Sequence, residues 1–182
     1  MKEISIIIVS YNVKYYIEQC LHSIFRSQGI DISSIEIFVV DNFSKDGTVS
    51  YLRQQFNPTR TPNVRIIANK RNVGFGRANN QAVRMATGKY ILFLNPDTLL
   101  TEHTLADVLT EARQHEKFGG IGVKMLHTNG QFAPESRRGV PSPWAAFCKM
   151  SGLLRLFPHS RVFGRYYMQS FSKDIKAPID IV

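Results

Sequence analysis

Asn95-Pro96-Asp97 follows directly on the apolar run Tyr90-Ile91-Leu92-Phe93-Leu94. A carboxylate at the carboxyl end of a buried strand is aimed at the crevice where open α/β sheets bind ligands. Pro96 has no N–H and a fixed φ, so it stops the strand and stiffens the loop that carries Asp97. A hard oxygen ligand on a stiff loop, with coordination positions left open, suits a divalent cation shared with a diphosphate. The same residue types also suit a plainer role, in which Asp97 caps a helix beginning near Thr101. The tripeptide alone does not choose between ligand and cap.

Other polar clusters end other apolar runs. Ser10-Tyr11-Asn12 closes Ile4 to Val9, and Asp41-Asn42 closes Ile35 to Val40. Asp41 can accept hydrogen bonds from a base N–H or a ribose hydroxyl. The string from Asp41 to Thr48 is rich in turn formers, so Asp41 or Ser44 can equally organise a turn. A third stretch, Asn69 to Asn80, follows an apolar run and opens a helix. Gly74 and Gly76 permit close backbone approach there, and Arg71 or Arg77 can neutralise phosphate oxygens. The glycines do not make a dinucleotide fingerprint, which follows the first strand of its unit and ends in a third glycine. Asn79 stands at that last position, which argues against hydride chemistry on a nicotinamide cofactor.

The elements that must hold these groups are legible in the apolar pattern. Ile4 to Val9 and Ile35 to Val40 are near-continuous apolar runs, rich in β-branched residues, that predict strands buried on both faces. Lys14 to Ser27 places Ile17, Cys20, Leu21, Ile24 and Phe25 at helical spacing. Asp46-Gly47-Thr48 starts a helix carrying Val49, Leu52 and Phe56, and a loop from Asn57 to Asn63 leads to a strand at Val64 to Ala68. Gly74 to Thr87 predicts a helix closed by Gly88 as its C′ residue. A fourth strand spans Tyr90 to Leu94, a helix runs from about Thr101 to His115, and Ile121 to Leu126 is a candidate fifth strand. Such alternation predicts an α/β fold with a mostly parallel sheet and helices on both faces. Parallel strands present their carboxyl ends on one edge, so the polar clusters should converge on one crevice.

As an ensemble these residues resemble the inverting family-2 glycosyltransferases with the GT-A fold, a Rossmann-like architecture. The likeness rests on Ile7 to Asn12, Val39 to Thr48, Asn72 to Asn80 and Leu92 to Asp97, in the family's order. Ser136-Arg137-Arg138 and the proline-rich stretch after it look like the rhamnosyltransferase-type bacterial members. The resemblance implies a nucleotide-diphosphate sugar donor, UDP- or dTDP-linked, in the strand-end crevice. Ser10, Tyr11 and Asn12 would line the base and ribose pocket, with Asp41 reading the base. Asn72, Gly74 and Arg77 would border the nucleotide and sugar. Asn95-Pro96-Asp97 stands where the family has Asp-x-Asp, so Asp97 would bind Mn²⁺ or Mg²⁺ while Asn95 hydrogen-bonds ribose without bringing charge. An acceptor hydroxyl, on a saccharide or a lipid-linked acceptor, would attack with inversion, in keeping with bacterial surface polysaccharide synthesis.

The family draws its general base from a later acidic cluster, and nothing after Asp97 has that pattern. Glu102, Asp107, Glu111 and Glu116 read as helix-surface charges, while Glu135, Asp174 and Asp180 stand alone. The ending Ala177 to Val182 looks like the approach to the missing strand. The chain therefore reads as a nucleotide-binding half, residues 1–130, followed by a basic, Pro-rich extension, 131–182, leading toward an absent acceptor-binding segment. A non-catalytic nucleotide-sugar-binding remnant is the rival that the missing base favours.

Composition bounds the alternatives. Over 182 residues, 43% are hydrophobic and 20% charged, which fits a folded domain rather than a disordered chain. The net charge of +9 is compatible with nucleic acid, an anionic membrane surface or a phosphorylated small molecule. Arg155 to Tyr167 is the one stretch that interleaves basic and aromatic residues as a nucleic-acid surface would, and the strand-end groups favour the nucleotide sugar as partner over nucleic acid. Leu153 to Met168, interrupted by Pro158, is either a solvated arm or a basic surface in peripheral contact with anionic lipid. Cys20 and Cys148 are too few and too far apart for a disulfide framework or a zinc site. No signal-peptide pattern opens the chain and no run nears the ~18 apolar residues of a membrane span, so a cytoplasmic location is expected, at the inner membrane face if the basic arm touches lipid.

Overall fold

All seven residues of β1 (Ile4–Ser10) and all seven of β2 (Ile35–Asp41) are buried, which requires cover on both faces. β3 (Val64–Ala68) and β4 (Tyr90–Leu94) complete a sheet of order β3-β2-β1-β4 in which every pairing is parallel. The computed structural model describes residues 1–115, 119–133, 136, 142–156 and 160. Two compact units divide the chain, Met1–Thr110 and Glu111–Val182.

In the first unit the pleat sorts the side chains. Ile4, Ile6 and Ile8 pack with Ile17, Cys20, Leu21 and Ile24 of α1 (Lys14–Phe25), Leu52 of α2 (Thr48–Gln55), and Leu105 and Leu109 of α4 (Thr104–Arg113). Ile7, Val9, Phe38 and Val40 on the opposite face meet Ala78 and Ala82 of α3 (Phe75–Val83). Small alanines let α3 lie close against the sheet, while Ile91 and Phe93 of β4 stay exposed. Each fully buried Ile or Leu contributes roughly 1.5–3 kcal/mol, so these two clusters hold the sheet that the loops depend on.

Two helices differ from their sequence patterns. α3 ends at Val83, not Thr87. Past that point the bonds tighten to Met85 N–H on Ala82 and Ala86 N–H on Val83, and the next donors find another acceptor. Thr87 gives its N–H (2.5 Å) and hydroxyl (3.0 Å) to Glu36 Oε1, and Gly88 N–H reaches the same oxygen at 3.2 Å. Ser5 Oγ donates to it as well, at 2.6 Å. Gly88 is therefore not a left-handed C′ residue. It is glycine because a Cβ would lie 2.6 Å from the Ser5 backbone nitrogen. Burial pushes the Glu36 carboxyl upward, but the bonds from Ser5, Thr87 and Gly88 outweigh it and hold the group below its ordinary value. α4 begins three residues late, at Thr104, after a turn in which Thr104 N–H bonds Thr101 O at 3.2 Å.

In the second unit, Ile121 to Leu126 forms no strand. Its only pairing among the described residues is an antiparallel bridge, Leu126 with Phe132, around a turn in which Gly130 has φ +78°. An apolar run becomes a strand only where another strand offers it a ladder. Beyond it lie α5 (Pro143–Met150), where Trp144 stacks on Phe147, and the short α6 (Leu153–Leu156). Arg137 and Arg138, and most of the basic stretch from Leu153 to Met168, lie outside the described residues. Among the described residues no helix is long and apolar enough to cross a membrane.

Candidate functional site

Strand order reverses between β1 and β4, since the chain steps outward through β2 and β3 and then returns to pair β4 beside β1. That reversal opens a crevice at the carboxyl ends of an open α/β sheet. Ser10, Tyr11 and Asn12 leave β1 there, Asp41 and Asn42 leave β2, Asn69 leaves β3, and Asn95 to Asp97 leave β4. The parallel topology thus brings all the sequence-predicted groups to one edge of the first unit.

Ser10 and Asp41 are register partners at the ends of their strands. Asp41, 1% exposed, accepts the Ser10 hydroxyl on Oδ1 (3.3 Å) and the Ser44 N–H on Oδ2 (2.9 Å). The turn-organising role of Asp41 is thus visible directly. Asn12, at φ +54°, clasps the same loop: its N–H meets Ser44 Oγ at 2.8 Å and its Oδ1 accepts Lys45 N–H at 2.7 Å. Tyr11 is left 50% exposed beside it. Asp46, one residue before the Gly47 N-cap of α2, accepts Thr48 N–H (3.1 Å) and Thr48 Oγ1 (2.5 Å) and takes Lys14 N–H at 3.2 Å. Burial raises the Asp46 carboxyl, and these donors more than reverse that, leaving it lowered.

The loop into α3 is tied to β2 by asparagines. Asn42, buried, accepts Val73 N–H (2.9 Å) and Asn69 Nδ2 (3.3 Å) on Oδ1, and donates Nδ2 to Asn72 Oδ1 at 2.8 Å. Asn72 Oδ1 also accepts Gly74 N–H at 2.9 Å. Gly74 takes φ +83°, and at both Gly74 and Gly76 a Cβ would meet open space. Open space on the outward side is what a ligand approaching the backbone requires. Arg77 on the first turn of α3 and Arg71 before it are exposed. The role of Asn42 was not apparent from sequence. Its signal was the company of Asn69 and Asn72, three amides with no apolar role.

At the end of β4, Asn95 O accepts Thr98 N–H (3.2 Å) and the Cys20 thiol (3.6 Å). Pro96 is half-buried, whereas Asn95 and Asp97 are exposed. Asp97 accepts no hydrogen bond among the described residues, and α4 starts seven residues after it, so the cap role is ruled out. Its charge still reaches Cys20: burial first, and then Asp97, pushes that thiol up to about 12, which keeps Cys20 a neutral core group. No cluster of three or more His, Cys, Asp or Glu able to hold a metal ion occurs among the described residues. A single unengaged carboxylate matches a Mg²⁺- or Mn²⁺-type ion whose other ligands are substrate phosphates and water, and Asp97 fits that mode.

Comparison with known proteins bears on this arrangement. The family described as Glycosyl transferase family 2 matches residues 5–175. The minor teichoic acid biosynthesis protein GgaB of Bacillus subtilis is 32% identical over 114 residues, covering 63% of this chain and 12% of GgaB. The crystal structure of S. aureus TarS 1-349 in complex with UDP-GlcNAc superposes with TM-score 0.59 at 26% identity, over 79% of this chain and 38% of that one. Mannosyltransferase PcManGT from Pyrobaculum calidifontis, in complex with GDP-Man and Mn²⁺, gives TM-score 0.55 at 26% identity, over 68% of this chain and 36% of its own. The chain spans well under half the length of these relatives. The four-stranded parallel sheet with its helices is the GT-A-like α/β architecture expected from sequence.

Proposed function

Because the chain belongs to glycosyl transferase family 2, we propose that its strand-end crevice binds a nucleotide-diphosphate sugar and serves transfer of that sugar to a saccharide or lipid-linked acceptor with inversion. The observation that carries this reading is the division of labour at one sheet edge. Asp41 and Asp46 each accept hydrogen bonds from the loops they organise, while Asp97 is held on a stiff turn and accepts none among the described residues.

Ser10, Tyr11 and Asn12 line the base and ribose side, and exposed Tyr11 offers a ring face there. Asp41 contributes its remaining lone pairs to the same pocket. Asn72, Gly74 and Arg77 border the diphosphate and sugar, and Asn95 offers an uncharged amide to ribose. Asp97 would hold Mn²⁺ or Mg²⁺, and such an ion, when bound, would supply positive charge to the departing nucleoside diphosphate. Arg77, and Arg71 if the loop brings it near, add charge to the same leaving group. No residue of this chain is assigned the general base. Among the described strand-end carboxylates Asp41 and Asp46 are already engaged, and that favours a second reading, in which this stretch binds donor without completing turnover by itself.

A UDP-linked hexose or hexosamine is the donor we favour over a dTDP-linked deoxy sugar, because TarS is described with UDP-GlcNAc. A polyanionic or surface-polysaccharide acceptor accords with the net charge of +9 and the teichoic acid relative. The rhamnosyltransferase-type specificity rests on Ser136-Arg137-Arg138 and the proline-rich stretch after it, and of that tripeptide only Ser136 is described. Calorimetric titration of UDP and dTDP, with and without Mn²⁺, tests the reading. Metal-assisted binding that Asp97→Ala abolishes supports it, and metal-assisted binding that Asp97→Ala retains would remove Asp97 from the site.

A further inference from the structure

We propose that Asn42 is a positioning residue that fixes the Asn72 side-chain amide so that its NH₂ group, and not its oxygen, is offered to the bound nucleotide. This rests on the nucleotide-binding reading above. Two backbone donors set the orientation of both amides. Val73 N–H can only donate, so the Asn42 atom 2.9 Å from it is oxygen, and the atom Asn42 turns toward Asn72 is nitrogen. Gly74 N–H likewise can only donate, so the Asn72 atom 2.9 Å from it is oxygen. That oxygen receives both Gly74 N–H and Asn42 Nδ2, which uses its two lone pairs. The polar atom that Asn72 has left is Nδ2, a donor, on an exposed residue at the mouth of α3.

Chemically, the loop is built to meet a hydrogen-bond-accepting oxygen and to reject a donor. A nucleoside diphosphate supplies such oxygens on a pyrimidine carbonyl and on the phosphates. Asn42 is buried at 3% exposure and cannot reach ligand through its own amide, whose polar atoms all face Asn69, Asn72 and Val73. It acts on the nucleotide through Asn72.

The test is a cycle of variants read by UDP affinity, with amide hydrogen exchange at Gly74 as a separate reporter of the loop. Asn72→Asp keeps an oxygen for Gly74 N–H and for Asn42, but replaces the outward NH₂ with a charged oxygen. It should weaken UDP binding by about tenfold or more with Gly74 exchange unchanged. Asn42→Asp loses the donor to Asn72, so Gly74 should exchange faster and UDP affinity should fall by a similar factor. Combined with Asn72→Ala, Asn42→Asp should add almost nothing to the single Asn72→Ala loss, since its effect travels through that side chain. Multiplying losses in the double variant, or wild-type affinity in Asn72→Asp, would overturn the proposal. Uridine in parallel locates the contact: a loss with both ligands places it on the base, and a loss with UDP alone places it on the diphosphate. If the wild-type chain binds no UDP, the nucleotide reading fails and the donor role of Asn72 falls with it. The Asn42–Asn72 latch then stands or falls on Gly74 exchange alone.

Discussion

The two edges of this sheet treat their carboxylates in opposite ways. At the amino edge the buried Glu36 gathers hydrogen bonds from Ser5, Thr87 and Gly88 on its Oε1. At the carboxyl edge Asp97 accepts none among the described residues and stands exposed on a proline-stiffened turn. A buried charge that lacks partners is costly, and the donors gathered on Oε1 are what let Glu36 stay ionised there. An exposed one is solvated and free to exchange that water for the cation and diphosphate proposed above. Satisfaction marks the first as structure, and its lack marks the second as available for chemistry. Asp41 lies between them, buried like Glu36 yet at the same edge as Asp97.

Removing the free carboxylate should produce the largest change in binding and the smallest in stability. Asp97→Asn is expected to lower metal-assisted nucleotide affinity by about a hundredfold, equivalent to about 2.7 kcal/mol, while the unfolding free energy moves by less than about 0.5 kcal/mol. Paired calorimetry and urea denaturation measure both. A stability loss as large as the binding loss would erase the contrast between the edges.

Gly88→Ala strikes the satisfied edge. Its new Cβ would sit 2.6 Å from the Ser5 nitrogen and 2.7 Å from the Ile4 carbonyl carbon, and both are backbone atoms that cannot swing aside. A loss of about 1–3 kcal/mol is expected, with nucleotide affinity kept in whatever fraction remains folded. Next in size is Asp46→Ala, which takes the acceptor from the Thr48 N–H and hydroxyl at the start of α2 and should cost about 0.5–1.5 kcal/mol. Because Asp46 also holds Lys14 N–H, this variant should loosen the loop that Asn12 clasps, seen as faster exchange at Lys45.

How much of this could be read from sequence depends on how local the cause is. β3 and β4 fall on the residues their apolar runs mark, and β1 and β2, the strands buried throughout, run one residue longer, because apolar runs between polar turn residues bound a strand locally. The end of α3 is different. Residues 84–87 keep a helical pattern, yet Glu36, about fifty positions earlier, captures the N–H and hydroxyl of Thr87. Ile121 to Leu126 has the composition of a strand and finds no ladder beyond one bridge. At the site, Asp97 was legible as an unusual carboxylate after a strand, while the exclusion of a cap role had to await the start of α4. The work of Asn42 was hidden because its partners lie 27 to 31 positions away and are chosen by the fold.

The finest test of the contrast is the pH dependence of Glu36→Gln. In the folded chain burial pushes this carboxyl up, its hydrogen bonds push it further down, and the net position lies below its ordinary value of 4.5. A lowered folded-state pKa means that the unfolded chain takes up the proton first as pH falls. The stabilisation Glu36 provides is therefore complete well above pH 4.5 and drains away as pH drops through its folded value. Glutamine can accept the same N–H groups on one oxygen but carries no charge and does not titrate, so at pH 7 the variant should be less stable than the wild type. That deficit should shrink as the wild type is protonated, and urea denaturation at pH 7 and again below pH 4 would follow it. Asp46, also lowered, contributes to the acid fall of both proteins and cancels in the difference. A deficit that stays constant across this range would mean that the amino edge is held by shape alone, with the Glu36 charge contributing nothing.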